Sequence, residues 1–171
     1  HPTAAQVGAA LTGTALDIMG PGPDRDSGAG IVMADRLTRE LRLEVAASFF
    51  TLPPCRLIDT RNPLSPLGGP ILQSGALRTF ALAGSCAIPL GARSLSANIT
   101  VVQPAAAGDL RLFPADSPST PPTSTINFRA GVTRANNALL TLPLDSTGGI
   151  QVQLDSTGPV HLILDVNGYF Q

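Results

Sequence analysis

At 171 residues the chain suits one domain of ordinary size with room for a small appendage. Its hydrophobic share of 43% is enough for a core, while charged residues make up only 13% and the net charge is −1; so flat a balance gives no electrostatic case for nucleic acid or an anionic membrane as partner. With no Trp and one Tyr, the chain also lacks the aromatics of a sugar-stacking or base-stacking platform.

Residues 1–47 read as a helical appendage. Thr3 and Gln6 have capping-box spacing, in which the hydroxyl accepts from the backbone at Gln6 and the Gln amide reaches back. Val7, Ala10 and Leu11 then share a face. Gly20-Pro21-Gly22-Pro23 breaks the chain. Asp24-x-Asp26-x-Gly28 is spaced like the start of a calcium loop but lacks the later ligands, including the bidentate Glu, so a polar turn is expected and no metal is assigned. The pattern predicts a second helix from near Gly30, with Met33, Leu37 and Leu41 as its apolar stripe and Arg36, Arg39, Glu40 and Arg42 on the wet side.

From about Glu44 the period changes to two. Candidate strands are Val45–Leu52, Arg56–Thr60, Leu77–Ala83, Ser94–Gln103, Asp109–Phe113, Ser124–Arg129, Asn137–Leu142, Ile150–Leu154 and Val160–Val166. In Ser94–Gln103 the apolar Leu95, Ala97, Ile99 and Val101 alternate with Ser96, Asn98 and Thr100, the pattern of a half-buried antiparallel strand. Many short strands with Gly- and Pro-rich turns between them predict a mainly β fold. The expectation is an antiparallel β-sandwich or jelly roll over residues 48–171. Leu144-Asp145-Ser146-Thr147-Gly148 recurs as Leu154-Asp155-Ser156-Thr157-Gly158, with Asp and Gly placed for type I turns. Two such hairpins would set Ile150–Leu154 between its sequence neighbours in a meander.

Cys55 and Cys86 are the only cysteines, and no metal-ligand spacing surrounds them. An isolated pair suggests a disulfide and an extracellular or cell-surface location; two buried free thiols are the alternative. No apolar run approaches the roughly 18–20 residues of a membrane span, so membrane insertion is not expected. The sequence opens on His1 rather than Met, which reads as a processed product or a fragment. Asn98-Ile99-Thr100 is a formal N-glycosylation sequon, and Thr120 and Thr123 lie in a Ser/Thr/Pro-rich loop open to O-linked sugar; an unmodified strand and a stiff exposed connection are the plainer readings.

No catalytic constellation is recognisable in the sequence. His1 and His161 are the only histidines, and His161 sits in an alternating strand, where a place on the polar face is the expectation. There is no Gly-x-Ser-x-Gly elbow, no His-Glu-x-x-His, no four-ligand Cys/His set and no phosphate-cradling loop, so no catalytic residue, metal or cofactor is assigned.

Two resemblances add to this reading. Pro2-Thr3-Ala4-Ala5-Gln6-Val7, Ala9-Ala10-Leu11-Thr12-Gly13-Thr14-Ala15 and Asp24-Arg25-Asp26-Ser27-Gly28-Ala29-Gly30-Ile31-Val32-Met33-Ala34 carry the first. With them, residues 1–43 resemble the C-terminal end of a subtilisin-like serine peptidase domain. The resemblance implies a helix after the catalytic-serine helix and the entry to the last helix. It brings no catalytic residue, since that family's Asp, His and Gly-Thr-Ser elements would lie upstream of His1. Residues 50–171 are similar to a β-rich domain found at the C-terminal ends of secreted bacterial proteins, often behind peptidases. The carrying residues are Pro54-Cys55-Arg56-Leu57-Ile58-Asp59-Thr60-Arg61, Arg78-Thr79-Phe80, Ala83-Gly84-x-Cys86-x-Ile88-Pro89, Asn98–Val102, Ser124–Phe128, Thr133–Asn137 and His161–Phe170. Within it Arg56, Asp59 and Arg61 form one polar set, and Arg134, Asn136 and Asn137 a second that would either bind a ligand or serve structure; the structural role is favoured, because a guanidinium with five donors can tie strand ends and loop carbonyls together.

A non-catalytic extracellular β-sandwich module of a secreted subtilisin-like peptidase is therefore the expected function, acting in binding, anchoring or assembly. The alternative is a self-assembling filament subunit that lends its N-terminal segment to a neighbouring copy. Residues 44–52 are the strand to lend, and Met33, Leu37, Leu41, Val45, Phe49 and Phe50 the candidate interface. The partners expected are other copies of the chain or an upstream peptidase domain.

Overall fold

The computed structural model describes residues 3–13, 15–16, 31–32, 47–143 and 147–171. They belong to two compact units, His1–Ala46 and Ala47–Gln171. In the first unit α1 (Ala4–Gly13) starts at the expected capping box: Gln6 N donates to Thr3 Oγ1 at 3.3 Å and Thr3 N donates to Gln6 Oε1 at 2.8 Å. Two short strands, β1 (Ala15–Leu16) and β2 (Ile31–Val32), pair antiparallel. The helix expected from near Gly30 therefore does not begin there: β-branched Ile31 and Val32 are extended and paired. Met33, Leu37, Leu41 and Val45 lie outside the described residues, as do the Gly20–Pro23 break and the Asp24–Gly28 turn.

The second unit carries β3 (Phe49–Asp59), β4 (Leu77–Ala81), β5 (Ser94–Val102), β6 (Gly108–Pro114), β7 (Ile126–Phe128), β8 (Arg134–Thr141), β9 (Gly149–Ser156) and β10 (His161–Phe170). They make two four-stranded sheets, β3-β10-β5-β8 and β4-β9-β6-β7. The antiparallel pairs β3·β10, β4·β9, β5·β8 and β6·β7 are those of one long ribbon whose tip is the β6–β7 connection. Rolling the ribbon adds β10·β5 and β9·β6. The result is the jelly-roll form of an antiparallel sandwich.

Alternation explains the core. Leu95, Ala97, Ile99 and Val101 of β5 point inward and are at most 4% exposed, as their spacing predicts. Across the sandwich they join Phe80, Leu110, Ile150, Val152 and Leu154, and beside them Leu162, Leu164 and Val166. Each of these side chains larger than alanine, fully buried, stabilises the fold by roughly 1.5–3 kcal/mol. The disulfide is present between Cys55 and Cys86, with Cα atoms 5.9 Å apart and a sequence separation of 31. A closed loop of that length removes about 3.5 kcal/mol of chain entropy from the unfolded state.

Two expectations about the strands are corrected. Val45–Leu52 and Arg56–Thr60 are not separate elements, since β3 runs unbroken from Phe49 to Asp59. Its prolines are tolerated because β3 is an edge strand, and Leu52, Pro53 and Pro54 bulge opposite the single residue Asn167. The meander is also overturned. β9 lies between β4 and β6, whereas its sequence neighbours β8 and β10 belong to the other sheet. The second Asp-Ser-Thr-Gly copy follows a crossover logic: Asp155 is still in β9, opposite Asp109, and the chain then changes sheets. Leu144–Ser146 of the first copy lie outside the described residues.

Candidate functional site

The motif Arg56-Leu57-Ile58-Asp59-Thr60-Arg61 closes β3, and its register against β10 decides what each residue meets. Leu57 is an extra residue, bulged between the pairs Ile58–Leu164 and Arg56–Asp165, so Leu57 and Ile58 both enter the core. Arg56, Asp59 and Asp165 are left on the sheet face away from it. Arg56 then grips Asp165 bidentately, Nε to Oδ1 at 2.8 Å and Nη2 to Oδ2 at 3.1 Å. Arg61 grips Asp59 in the same way, Nε to Oδ1 at 2.8 Å and Nη2 to Oδ2 at 2.7 Å, with Arg61 N adding a bond to Oδ1 at 3.1 Å. Arg56 Nη1 stands 3.6 Å from Asp59 Oδ2 and links the two pairs. The Arg61 hydrogen bonds hold the Asp59 carboxyl well below its ordinary value, at about 2, against the opposing effect of its burial.

Thr60 fastens the end of this segment. Its Oγ1 accepts from Leu162 N at 2.8 Å and lies 3.3 Å from Leu162 O and 3.2 Å from Nδ1 of the half-buried His161. Arg78, on β4, fastens the loop that follows. It donates to the carbonyls of Pro70, Gly69, Ser65 and Pro66 at 3.0, 3.0, 3.2 and 3.5 Å, and its guanidinium stacks 4.4 Å above the Phe80 ring. Burial lowers the Arg78 pKa from its ordinary value. The guanidinium groups thus act within the fold: Arg56 and Arg61 bind carboxylates at the end of β3 and on β10, and Arg78 alone ties loop carbonyls.

The second polar set divides. Asn137 pairs with Asn98, which pairs with Asp165, which pairs with Arg56, so these four make one row across the outer face of the sheet. Arg134 and Asn136 fall on the opposite side of β8. There, with Thr125, Ile126, Asn127 and Ala135, they line a shallow cavity of about 170 Å³ between β7 and β8. Asn136 Nδ2 donates to Thr125 O at 2.8 Å across its mouth. The cavity is open and polar, fitted to hold water or a small polar group rather than to exclude solvent from a reaction.

Asn98 is half-buried in the middle of its sheet, and Thr120 and Thr123 are exposed in the β6–β7 connection. Phe49 and Phe50 begin β3, 49% and 44% exposed. They are paired within their own chain, Phe49 with Phe170 at a ring separation of 4.9 Å and Phe50 with Tyr169 at 5.2 Å. Among the described residues, no group of three or more His, Cys, Asp or Glu is gathered to hold a metal, and no helix is long and apolar enough to cross a membrane. Sequence reasoning missed the part played by Asp165, whose partner Arg56 is 109 residues away, and it missed Leu139, 66% exposed on β8. The alternation of β8 was the available signal for Leu139.

No family model and no curated protein matches the sequence. Among solved structures the chain is similar to the Tobacco streak virus coat protein dimer, at 13% identity and a TM-score of 0.35, over 73% of this chain and 88% of that one. A second crystal form of that coat protein gives the same identity and score, over 74% and 89%. A likeness that slight carries no argument about function.

Proposed function

We propose that the chain is a non-catalytic extracellular module of a secreted subtilisin-like peptidase, acting through binding, anchoring or assembly. The peptidase connection is supported by the sequence resemblance of residues 1–43, and the location by the Cys55–Cys86 disulfide. One observation carries the surface role. Among the described residues, the large apolar side chains that strands expose, Phe49, Phe50, Leu77 and Leu139, all lie on β3, β4 and β8, which are sheet edges. Edges are where a further strand or a neighbouring surface is received. The polar motif around Arg56 and Asp59 is satisfied within the chain, so it leaves little for a ligand to take. A filament made by passing the N-terminal segment to the next copy is the second reading, favoured by the half-exposed Phe49 and Phe50 where that segment joins β3. Sedimentation velocity on the full chain over a wide concentration range tests the assembly role. Growth in size with concentration is expected, and one monomeric species throughout would leave only a binding or anchoring role.

A further inference from the structure

Natural sheet edges carry devices that stop them from pairing: shortness, proline, bulges and inward or opposed charge. Three of the four edges of the sandwich, β3, β4 and β7, have one. β3 bulges at Pro53-Pro54, β7 is three residues long and β4 five. The remaining edge, β8, carries only one, the inner-side charge of Arg134 at its first residue. It runs eight residues, pairs with β5 without a register shift, and contains no proline, glycine or acidic residue. Its other side has no strand beside it among the described residues.

We infer that β8 pairs antiparallel with the β8 of a second copy about a two-fold axis at Leu139, joining two four-stranded sheets into one. The inference rests on the reading of the chain as an assembly module and names the surface used. The choice of a second copy comes from the strand's own pattern. On the outer face Asn137, Leu139 and Thr141 are all exposed and read polar, apolar, polar. An axis at Leu139 places Leu139 against its own counterpart and Asn137 against Thr141 on both sides. On the inner face it sets Ala138 against Leu140, a small residue against a large one. Within β8 the axis pairs residues 137–141 with their counterparts, and the strand's single charge, Arg134, lies outside that paired stretch. The two copies of Arg134 then stand about 34 Å apart at the usual rise per residue, well beyond the Debye length of about 8 Å at physiological salt. No like charges oppose each other, and main-chain hydrogen bonds supply the adhesion. Such a contact is isologous and closes at two copies, unlike a filament contact.

The test uses the full chain with Leu139→Cys. Residues directly opposite in an antiparallel pair have Cα atoms about 4.5–5.5 Å apart, inside the range a disulfide spans. Mild oxidation should give a covalent dimer on a non-reducing gel, while Leu77→Cys, also exposed on the β4 edge, should stay monomeric. Leu139→Lys, which sets two cations face to face, should weaken dimerisation at least tenfold in sedimentation equilibrium. If Leu139→Cys cross-links no faster than Leu77→Cys, or if Leu139→Lys leaves self-association unchanged, the β8 pairing is wrong while the assembly reading stands. If the unsubstituted chain is monomeric at every concentration, both fail.

Discussion

Replacing Asp59 by Asn tests the ion-pair network at the end of β3. The carboxylate is 5% exposed, held by three hydrogen bonds from Arg61 and by the nearby Arg56 charge. Its pKa falls from the ordinary 3.8 to about 2, a gap that corresponds to at most about 2.4 kcal/mol. Arg61 and Arg56 are 44% and 50% exposed, so water screens the pairs and about 1–2 kcal/mol is the reasonable share. Because the folded pKa lies below the unfolded one, this contribution is whole above about pH 4 and disappears as the pH falls through about 2. Urea unfolding followed by far-ultraviolet circular dichroism suits a chain with no Trp. At pH 7 Asp59→Asn should be less stable than the parent by about 1–2 kcal/mol, and the two curves should converge towards pH 2. A deficit that stays constant from pH 7 to pH 2 would refute the electrostatic account and point to packing.

Two further substitutions probe other parts of the sandwich. Arg78→Lys should cost about 1–3 kcal/mol in urea unfolding, because an ammonium cannot reach the four carbonyls and the Phe80 face that the guanidinium holds; stability equal to the parent's would show that the loop holds itself. Gly168→Ala should cost about 1–3 kcal/mol, since its Cβ would meet the Phe49 ring and come within 2.8 Å of Phe50 O. An unchanged urea midpoint would mean that the start of β3 yields freely.

The layer architecture was legible in the sequence because alternation is local: Ser94–Gln103 shows its two faces unaided, and β5 buries the predicted one. The Thr3–Gln6 cap is local too, and it was found. Strand order was not legible. A jelly roll pairs the first strand with the last, Phe49 with Phe170, and no short-range signal encodes that. The Asp-Ser-Thr-Gly repeat misled for the same reason, since identical turn residues serve a hairpin or a change of sheet. Val45–Leu52 and Arg56–Thr60 read as two strands because an edge bulge such as that at Pro53-Pro54 can be recognised only once the partner strand is known. Of the polar groups, Arg56, Asp59 and Arg61 stood out within one motif. The row that joins Arg56 to Asp165, Asn98 and Asn137 is assembled by register alone, and period two could already have separated Asn136 from Asn137.

The measurement that bears most directly on an assembling, non-catalytic module is native mass spectrometry of the full chain with its disulfide intact. Ions at twice the chain mass or higher multiples, growing with concentration and lost in denaturant, are the result this account predicts. Single-copy ions alone, up to the highest concentration at which the protein stays in solution, would contradict it.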